Sequence, residues 1–520
     1  MSKDSTPNPL AQQVIDRHAS GFDASRPAEV SRQHQRGKLT ARERIALLAD
    51  EDGFFEFGGL AGPGPAQPGS DPLIAPGDGV VTGVAYVDGR PVALAVFDFT
   101  VLGGSNGVTG MQKVARCAER ALLDRIPLIL LSDGGGHRMQ EGLDSRHAAP
   151  GSPLLQQLVD LSGLVPVVSA MMGPGFGVAT NLAALSDFVV MVRDMSTLGM
   201  SSSPFVAAAT GENLTNEQIG GADVQACNGV ADIAVDDEPE AIDAIRAFLG
   251  FLPSSSEEFP PRVPGIRKPA AVDLDEVVPL SSRQSYDVRD VIRGIADEDS
   301  VFELREVVAA NVVTSFARID GRPVGVIANQ PLHLGGALDS PACEKAAHFI
   351  AVCDAFGLPL VILIDLPGFL IGTAAESSQL SRRSGRLVFE MGQATVPRFS
   401  IVLRKGYGAA YIAMGGGRSY GADLALAWPT AEICAMPVEG AVDIAYRREW
   451  EAADDPTAHR KSLIAKFSSN IGAFEAADGF GIDDVVAPSD TRRLLAEALS
   501  RVAPRRESRV PGKRRTISPI

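Results

Sequence analysis

Four glycine-rich turns, each directly after a short apolar run, contain the residues whose types and spacing could do chemistry. They lie at residues 133–136, 173–179, 364–370 and 403–411. Small residues at a strand-to-helix turn let backbone N–H groups converge at the start of the helix, where they can stabilise an oxyanion such as the enolate of a thioester. Small residues also permit close helix packing, so the turns by themselves leave both interpretations open.

No competing set of nucleophiles, metal ligands or phosphate-binding residues emerges from the sequence. The seven histidines are scattered, with neither an HExxH pair nor a serine in a GxSxG turn. His137 follows the glycines of 134–136 without an evident partner, and we interpret it as a surface histidine. These glycines lack the spacing of a dinucleotide fingerprint or a P-loop. The five cysteines form no CxxC pair, so no metal site or disulfide framework is predicted.

The turns belong to a repeat, because the chain carries the same markers twice. Asp-Gly-Arg-Pro-Val occurs at residues 88–92 and again at 320–324, an offset of 320 minus 88, or 232. Other pairs at this offset are Gly103-Gly104 with Gly335-Gly336, Lys113 with Lys345, Pro127 with Pro359, Asp133 with Asp365, Gly136 with Gly368, and Gly177 with Ala409. Residues 49–52 match 296–299 at an offset of 247, and 165–166 match 396–397 at 231. The repeat predicts two duplicated domains.

Within each half, short apolar runs alternate with helical spacing. Residues 92–97 and 128–131 are apolar and bounded by turn residues, which predicts buried strands. Residues 114–123 carry apolar side chains at helical spacing. The order of strand, glycine-rich turn, helix and strand predicts an α/β fold in which helices cover short parallel strands.

The length of the chain and a proline-rich segment indicate where the domains divide. A chain of 520 residues exceeds what one hydrophobic core usually organises. Residues 252–282 are rich in proline and serine, a composition typical of a linker. We therefore predict domains at residues 1–251 and 287–520, joined by a linker at 252–286.

Charge and hydropathy exclude several classes of partner. The formal net charge of -16 argues against nucleic acid, because binding phosphates requires a basic face. Residues 1–10 are polar, and no apolar run is long enough to span a bilayer. The sequence therefore predicts a cytoplasmic protein with no membrane or nucleic-acid partner.

Motifs along nearly the whole chain resemble those of a known family. They lie at residues 36–44, 210–212, 220–222, 328–331, 339–349, 367–370, 372–373, 404–408, 428–432, 439–442 and 511–520. In these segments the chain is similar to the carboxyltransferase (β) subunits of propionyl-CoA and acetyl-CoA carboxylases. The resemblance implies two tandem crotonase-like domains related by internal duplication, with acyl-CoA bound mainly by the first and biotin by the second.

The resemblance also implies a site built from backbone amides. Those of Gly177 and Val178 would bind the thioester oxygen of the acyl-CoA, and those of Ala409 and Ala410 the ureido oxygen of biotin. Further residues are implied to bind CoA (Gly135, Gly136, Gly175), to bind biotin (Gly368, Phe369, Tyr407, Gly408) and to select acyl length (Ile412). The family has paired glycines in place of Gly177-Val178 and Gly-Ala in place of Ala409-Ala410, so the side chains here require suitable φ values.

Transfer of a carboxyl group from carboxybiotin to the α-carbon of an acyl-CoA is the activity that the resemblance implies. The freed biotin nitrogen would take the α-proton, and the enolate held by the first pair of amides would attack CO2. Neither a metal nor a side-chain base is required. Because the chain has no Met-Lys-Met biotinylation motif and no ATP-binding segment, we expect a partner α subunit with biotin carboxylase and biotin carrier functions. The family also implies a homo-oligomer, a hexamer, with its active site at a subunit interface.

Alternatives stay open at this point. The acyl group could be acetyl, propionyl or something larger. Val178 and Ala409 also suit a non-catalytic scaffold subunit that keeps the fold and assembles with an active paralogue. A third hypothesis is a biotin-independent acyl-CoA decarboxylase or lyase that uses the same enolate chemistry.

Overall fold

Two units make up the part of the chain that the structure describes. This computed structural model describes residues 8–63, 73–145, 149, 153–265, 268–281, 284–503 and 515–518. One unit consists mainly of Met1–Gly250 and the other mainly of Phe259–Ser518. The domain limits 1–251 and 287–520 and the linker 252–286 stay a prediction.

The first unit alternates strands and helices after a helical N-terminal segment. Its strands are β1 Phe54–Phe57, β2 Val80–Val87, β3 Arg90–Phe97, β4 Leu128–Ser132, β5 Val167–Met171, β6 Pro174–Phe176, β7 Phe188–Val192, β8 Thr197–Gly199 and β9 Ile233–Val235. Its helices are α1 Pro9–Ala19, α2 Pro27–Gln35, α3 Ala41–Leu48, α4 Val108–Asp124, α5 Met139–Gly142, α6 Pro153–Leu161, α7 Val178–Ala184, α8 Ser203–Thr210, α9 Asn216–Gly220, α10 Ala222–Cys227 and α11 Glu238–Phe251.

The second unit repeats this alternation. Its strands are β10 Phe302–Leu304, β11 Val312–Ile319, β12 Arg322–Asn329, β13 Leu360–Leu366, β14 Arg398–Tyr407, β15 Leu424–Ala427, β16 Glu432–Cys434 and β17 Asp484–Val485. Its helices are α12 Leu274–Val277, α13 Val288–Ile295, α14 Ser340–Phe356, α15 Thr373–Ser377, α16 Leu380–Gln393, α17 Gly408–Ala413, α18 Val438–Ala445, α19 Arg447–Glu451, α20 Pro456–Ser468, α21 Ala473–Asp478 and α22 Thr491–Arg501.

The main sheets of the two units have the same strand order. The first runs β1-β2-β3-β4-β5-β7-β9 and the second β10-β11-β12-β13-β14-β15-β17. A small pairing completes each unit, of β6 with β8 in the first and of the end of β14 with β16 in the second. The duplicated α/β fold predicted from the repeat is confirmed. The predicted strands 92–97 and 128–131 lie within β3 and β4, and the predicted helix 114–123 lies within α4.

The predicted strands β3 and β4 are parallel, as expected, and so are the strands that follow them, whereas the first three strands of each sheet are antiparallel. The difference comes from the Asp-Gly pairs at 88–89 and 320–321, where both residues have positive φ (48° and 74°, then 51° and 73°). Two-residue turns of this kind join antiparallel strands into a hairpin. The Asp50 carboxylate accepts hydrogen bonds from both backbone N–H groups of the hairpin turn at 88–89, at 3.0 and 2.8 Å. Asp297 accepts the equivalent bonds at 320–321 at the same distances. The repeat marker was therefore also a hairpin signal.

The central strands of both sheets are buried by helices, as parallel strands require. In the first unit, α4 and α6 contribute Val114, Ala118 and Leu158 to the core over β3 and β4. In the second, Trp428 is fully buried and its indole N–H donates to Thr491 Oγ1 at 2.9 Å. Among the helices of the described ranges, none combines the length and apolarity that crossing a bilayer requires.

Candidate active site

The turn at residues 173–179, called the first turn from here on, reverses the direction of the chain between β6 and α7. Gly177 has φ 66° and ψ -118°, a conformation open to glycine, and it precedes the first residue of the helix. Its N–H donates to Gly199 O at 3.2 Å, so this amide already has a protein acceptor. Val178 and Ala179 begin α7, in the turn where the helix itself supplies no acceptor for N–H groups. All three residues are half-buried.

The turn at residues 403–411, called the second turn from here on, joins β14 to α17 and also contains a glycine with positive φ. Gly408 has φ 67° and begins α17, so Ala409 and Ala410 also lie in the first turn of a helix. Ala409 is exposed, whereas Ala410 is buried. A Cβ atom on Gly408 would lie 3.2 Å from Ala435 O. Each unit thus presents first-turn amides at the carboxyl end of an equivalent strand.

Backbone geometry moves the correspondence between the turns by one residue. Asp187 accepts Val167 N at the start of β5 and Asp423 accepts Arg398 N at the start of β14, both at 2.9 Å, an offset of 398 minus 167, or 231. At 231, the positive-φ Gly177 corresponds to Gly408 and not to Ala409. Val178 and Ala179 therefore correspond to Ala409 and Ala410.

The side chains at positions where the family has glycine fit this geometry. Within the two turns, positive φ falls on Gly177 and Gly408, both of which stay glycine. Val178, Ala409 and Ala410 have φ values that any residue adopts. The departures from the family pattern therefore leave the backbone amides in place, and they no longer favour a scaffold subunit.

A second pair of turns also corresponds between the units. Asn106 N donates to Gly136 O at 2.8 Å, and Leu338 N donates to Gly368 O at 3.1 Å, an offset of 232 in both partners. An isolated β-bridge joins Asn106 to His137, and another joins Leu338 to Phe369. His137 in the first unit is therefore equivalent to Phe369 in the second. His137 is exposed, as predicted from the sequence, while Phe369 is half-buried.

The remaining predicted residues differ in how they are placed. Gly135 is exposed, and its N–H donates to Gly103 O at 3.2 Å. Gly175 is buried, and a Cβ atom there would overlap Met171 Cε. The Tyr407 hydroxyl donates to Glu432, and burial, with this hydrogen bond as the second cause, raises the pKa of Tyr407. Ile412 is 53% exposed on α17.

Sequence reasoning missed a buried ion cluster beside the first turn. Asp133 is fully buried at the end of β4, where Lys38 Nζ lies 2.6 Å and Arg44 Nη2 2.8 Å from its carboxylate oxygens. A Cβ atom on Gly173 would overlap Asp133 Oδ1, so the cluster lies against the start of the turn. Burial lowers the pKa of Lys38, although the charge of Asp133 opposes this shift. The available signal was that Asp133 recurs in the repeat directly after an apolar run.

Asp365, the partner of Asp133 in the repeat, has an equivalent cluster. It is fully buried near the end of β13, 3.0 Å from Arg404 Nε and 3.2 Å from Lys405 Nζ. Both cations lie a few residues before Gly408. No group of residues in the described ranges could hold a metal ion. Each unit therefore offers backbone donors in the first turn of one helix, with one buried carboxylate, Asp133 or Asp365, nearby in the same unit.

Comparison with known proteins agrees with this architecture. The carboxyl transferase domain family matches residues 32–517. The propionyl-CoA carboxylase carboxyltransferase subunit of Haloferax mediterranei is 41% identical over 495 residues, covering 94% of this chain and 95% of that protein. The β5 subunit of a biotin-dependent acetyl-/propionyl-coenzyme A carboxylase from Mycobacterium tuberculosis is 38% identical, covering 95% and 92%.

A solved structure shows the same fold. The transcarboxylase 12S crystal structure, described as a hexamer with methylmalonyl-coenzyme A and methylmalonic acid bound, superposes with a TM-score of 0.92 at 38% identity. The match covers 100% of this chain and 99% of that one. The two units are therefore tandem crotonase-like domains. The chain belongs to the carboxyl transferase family, and it is a carboxyltransferase.

Proposed function

We propose that this chain is the carboxyltransferase subunit of a biotin-dependent acyl-CoA carboxylase and transfers a carboxyl group from carboxybiotin to the α-carbon of an acyl-CoA. The observation that carries the proposal is the pair of equivalent turns, each with first-turn amides after a positive-φ glycine. Relatives named as carboxylases of acetyl-CoA and propionyl-CoA support those two acyl groups as the substrates.

In the first unit, the turn after β6 binds the thioester oxygen. The amides of Val178 and Ala179 are the donors in register with Ala409 and Ala410, whereas Gly177 shapes the reversal and donates to Gly199 O. Donors fixed in a folded turn stabilise the enolate without reorganising, and each is worth about 3 kcal/mol in other oxyanion holes. Gly135, Gly136 and Gly175 line the same end of the sheet and are proposed to contact CoA.

In the second unit, the turn after β14 binds the ureido oxygen of biotin through Ala409 and Ala410. The residues present fit that role, because the turn is made of small residues and Ala409 is exposed at its surface. Bound carboxybiotin supplies the carboxyl group and the nitrogen that receives the α-proton. Gly368, Phe369 and Gly408 are proposed to shape the biotin pocket. Tyr407 acts through its ring and backbone, because its hydroxyl donates to Glu432.

The assembly that follows from this function has two components. We propose a hexamer of this chain, supported by the hexamer of the structurally similar 12S protein. Carboxybiotin is proposed to arrive on an α subunit that contains biotin carboxylase and biotin carrier functions. Co-purification with a biotinylated partner is the expected result, and a complete ATP-dependent carboxylase assembled without such a partner would contradict this part of the proposal.

The reverse half-reaction tests the function directly. Purified chain is mixed with malonyl-CoA or methylmalonyl-CoA and free biotin, and the decarboxylated CoA ester is followed by chromatography. Turnover that requires biotin supports the proposal, and the ratio of kcat/KM values ranks the two acyl groups. Turnover that is equally fast without biotin identifies the biotin-independent decarboxylase instead. No turnover with either ester contradicts acetyl-CoA and propionyl-CoA as substrates.

A further inference from the structure

The buried carboxylate of Asp365 bonds to the segment that leads from β14 into the second turn. It accepts Arg404 Nε at 3.0 Å and, through its other oxygen, the backbone N–H of Lys405 at 3.1 Å. Lys405 Nζ lies 3.2 Å from that second oxygen. Three donors from two consecutive residues therefore converge on one carboxylate, three to four residues before Gly408.

These bonds replace a missing part of the sheet. The ladder between β13 and β14 shifts register between Ile364 and Leu366, so that Leu366 pairs with Gly406. A register shift leaves backbone groups without ladder partners, and such irregularities are common beside active sites because they redirect the strand. Here the side chain of Asp365 accepts an N–H at the shift. Asp365 is itself held, because its own N–H donates to Asn329 Oδ1 at 3.3 Å.

Arg404 connects the cluster to residues outside β13 and β14. Its Nη1 donates to Ser281 O at 2.8 Å and Gln284 O at 2.6 Å, and its guanidinium lies over the Tyr286 ring at 5.1 Å. The Arg404 side chain is only 2% exposed. A buried guanidinium with this many fixed partners has one available orientation, so it acts as a rigid support for the strand end.

We infer that Asp365 is a positioning residue for carboxyl transfer, which holds Arg404 and Lys405 so that the amides of Ala409 and Ala410 point at the bound biotin. The inference rests on the proposed function of this turn. Asp365 is fully buried and acts on the reaction through the backbone of residues 404–408. Its role is distinct from that of a buried ion pair that only stabilises the fold, because its bonds end on the last residues of β14, directly before Gly408.

The substitution Asp365→Asn tests this inference in the full-length chain. It keeps the size of the side chain but removes the charge that pairs with Arg404 and Lys405. We expect kcat for biotin-dependent decarboxylation of methylmalonyl-CoA to fall about 100-fold, the cost of a misplacement of about 1 Å, while KM for methylmalonyl-CoA stays within about twofold. Hydrogen exchange measured by mass spectrometry should be faster in peptides covering residues 404–412.

Asp423→Asn is the matched control. Asp423 also accepts a backbone N–H of β14, that of Arg398 at 2.9 Å, but at the opposite end of the strand. We expect this variant to lower Tm while kcat and the exchange of residues 404–412 stay close to wild type. A structural role alone for Asp365 would make the two variants alike, and that result would overturn the inference. Asp365→Asn with wild-type kcat and wild-type exchange would overturn it as well.

Two further measurements keep the result decisive. If Asp365→Asn does not fold, Lys405→Met removes one ion pair and leaves the backbone bond, and we expect about tenfold lower kcat with the same exchange signature. Wild-type kcat and exchange in Lys405→Met would then overturn the inference. If the wild-type chain shows no biotin-dependent turnover, the proposed function fails, whereas the exchange experiment still decides whether Asp365 holds the turn.

Discussion

The two candidate turns share a glycine with positive φ, but the carboxylates near them are paired in different ways. Asp133 is paired with Lys38 and Arg44, which lie 95 and 89 residues earlier in the N-terminal segment. Asp365 is paired with Arg404 and Lys405, 39 and 40 residues later on the strand that carries the turn. The duplication therefore kept the carboxylate, and each domain obtained its cations separately.

This difference makes the first turn depend on a segment outside its own sheet. Lys38 precedes α3 and Arg44 lies within it, so the position of that helix is coupled to the start of the turn at Gly173. In the second cluster, the carboxylate and both cations lie on one pair of strands, β13 and β14. Any change that detaches α3 should therefore disturb the turn that we propose for acyl-CoA and leave the turn that we propose for biotin intact.

The largest effect should come from removing one amide donor in each turn. Val178→Pro and Ala409→Pro each delete an N–H in the first turn of a helix, where proline is tolerated. Because the two residues are equivalent, we expect both variants to lose activity by about 100- to 1,000-fold in kcat for biotin-dependent decarboxylation of methylmalonyl-CoA. The measurement is steady-state kinetics on variants whose oligomer size is checked by light scattering.

Val178→Ala and Ala409→Ser are the controls, since both keep the N–H and should retain kcat within about tenfold. A loss confined to one proline variant would show that the turns are equivalent in shape but not in use. If both proline variants stayed active, backbone donation at these positions would be refuted.

The next effect concerns the stability of the first cluster. Asp133→Asn leaves Lys38 buried without this carboxylate, while Arg44 keeps its bond to Glu238 Oε1 at 2.9 Å, and breaking a buried pair costs about 3–5 kcal/mol of unfolding free energy. Asp133 also accepts Gln33 Nε2 at 3.1 Å, and because Gln33, Lys38 and Arg44 all lie in the N-terminal segment, its loss also loosens that segment and should exceed the loss in Asp365→Asn. Urea denaturation followed by fluorescence gives both values. Equal losses would show that the origin of the cations does not matter for stability.

How much could be predicted from the sequence differs between the backbone and the ion clusters. The Asp-Gly pairs, the Gly-Gly pairs and the positive-φ glycines are local signals, and each lies where the repeat predicted a turn. The exact register was missed by one residue at Gly177, because the offset of 232 from distant markers was applied to the turn although residues 165–166 match 396–397 at 231. Strand-start contacts such as Asp187 with Val167 N show that 231 is the offset that holds there.

The cations of the two clusters could not be predicted, because they do not occupy equivalent positions in the repeat and are not separated from their carboxylate by the same number of residues. Nothing in residues 38–44 indicates that Lys38 and Arg44 reach a strand end about 90 residues away. Arg404 and Lys405 are adjacent to the turn, but an Arg-Lys pair is usually a solvated surface feature. Long-range electrostatic pairing depends on the folded geometry, which a repeat in the sequence does not encode.

Lys113 and Lys345, matched in the repeat, provide a pH-dependent comparison. Lys113 Nζ donates to Gly77 O at 2.8 Å and to Val80 O, and Lys345 Nζ donates to Arg305 O and Val308 O at 2.8 and 2.9 Å. Burial lowers the pKa of Lys113 to about 8 and that of Lys345 to about 7, from 10.5. Between pH 7 or 8 and pH 10.5, each lysine binds more protons in the unfolded chain than in the folded protein. The free energy of unfolding therefore rises with pH across this range.

The free energies of unfolding of wild type and of Lys345→Met, measured between pH 7 and pH 10, test whether this stability rises with pH. The difference should move in favour of wild type as pH rises, with a slope of at most about 1.4 kcal/mol per pH unit. For Lys113→Met, the change should begin about one pH unit higher. A difference that is flat with pH would show that the carbonyl contacts keep both ammonium groups charged in the folded protein.

The smallest effect should come from Ile412, whose equivalent in the first domain is Asn181, at 412 minus 231. Both side chains are exposed, so Ile412→Asn should change unfolding free energy by no more than about 0.5 kcal/mol. If Ile412 contacts the acyl chain, as the family resemblance implies, the ratio of kcat/KM for methylmalonyl-CoA over malonyl-CoA should fall about three- to tenfold, since one methyl group contributes little in a half-open apolar site. Asn181→Ile should leave that ratio within about twofold. The opposite pattern would assign acyl selection to the first turn and end the division of roles between the two domains.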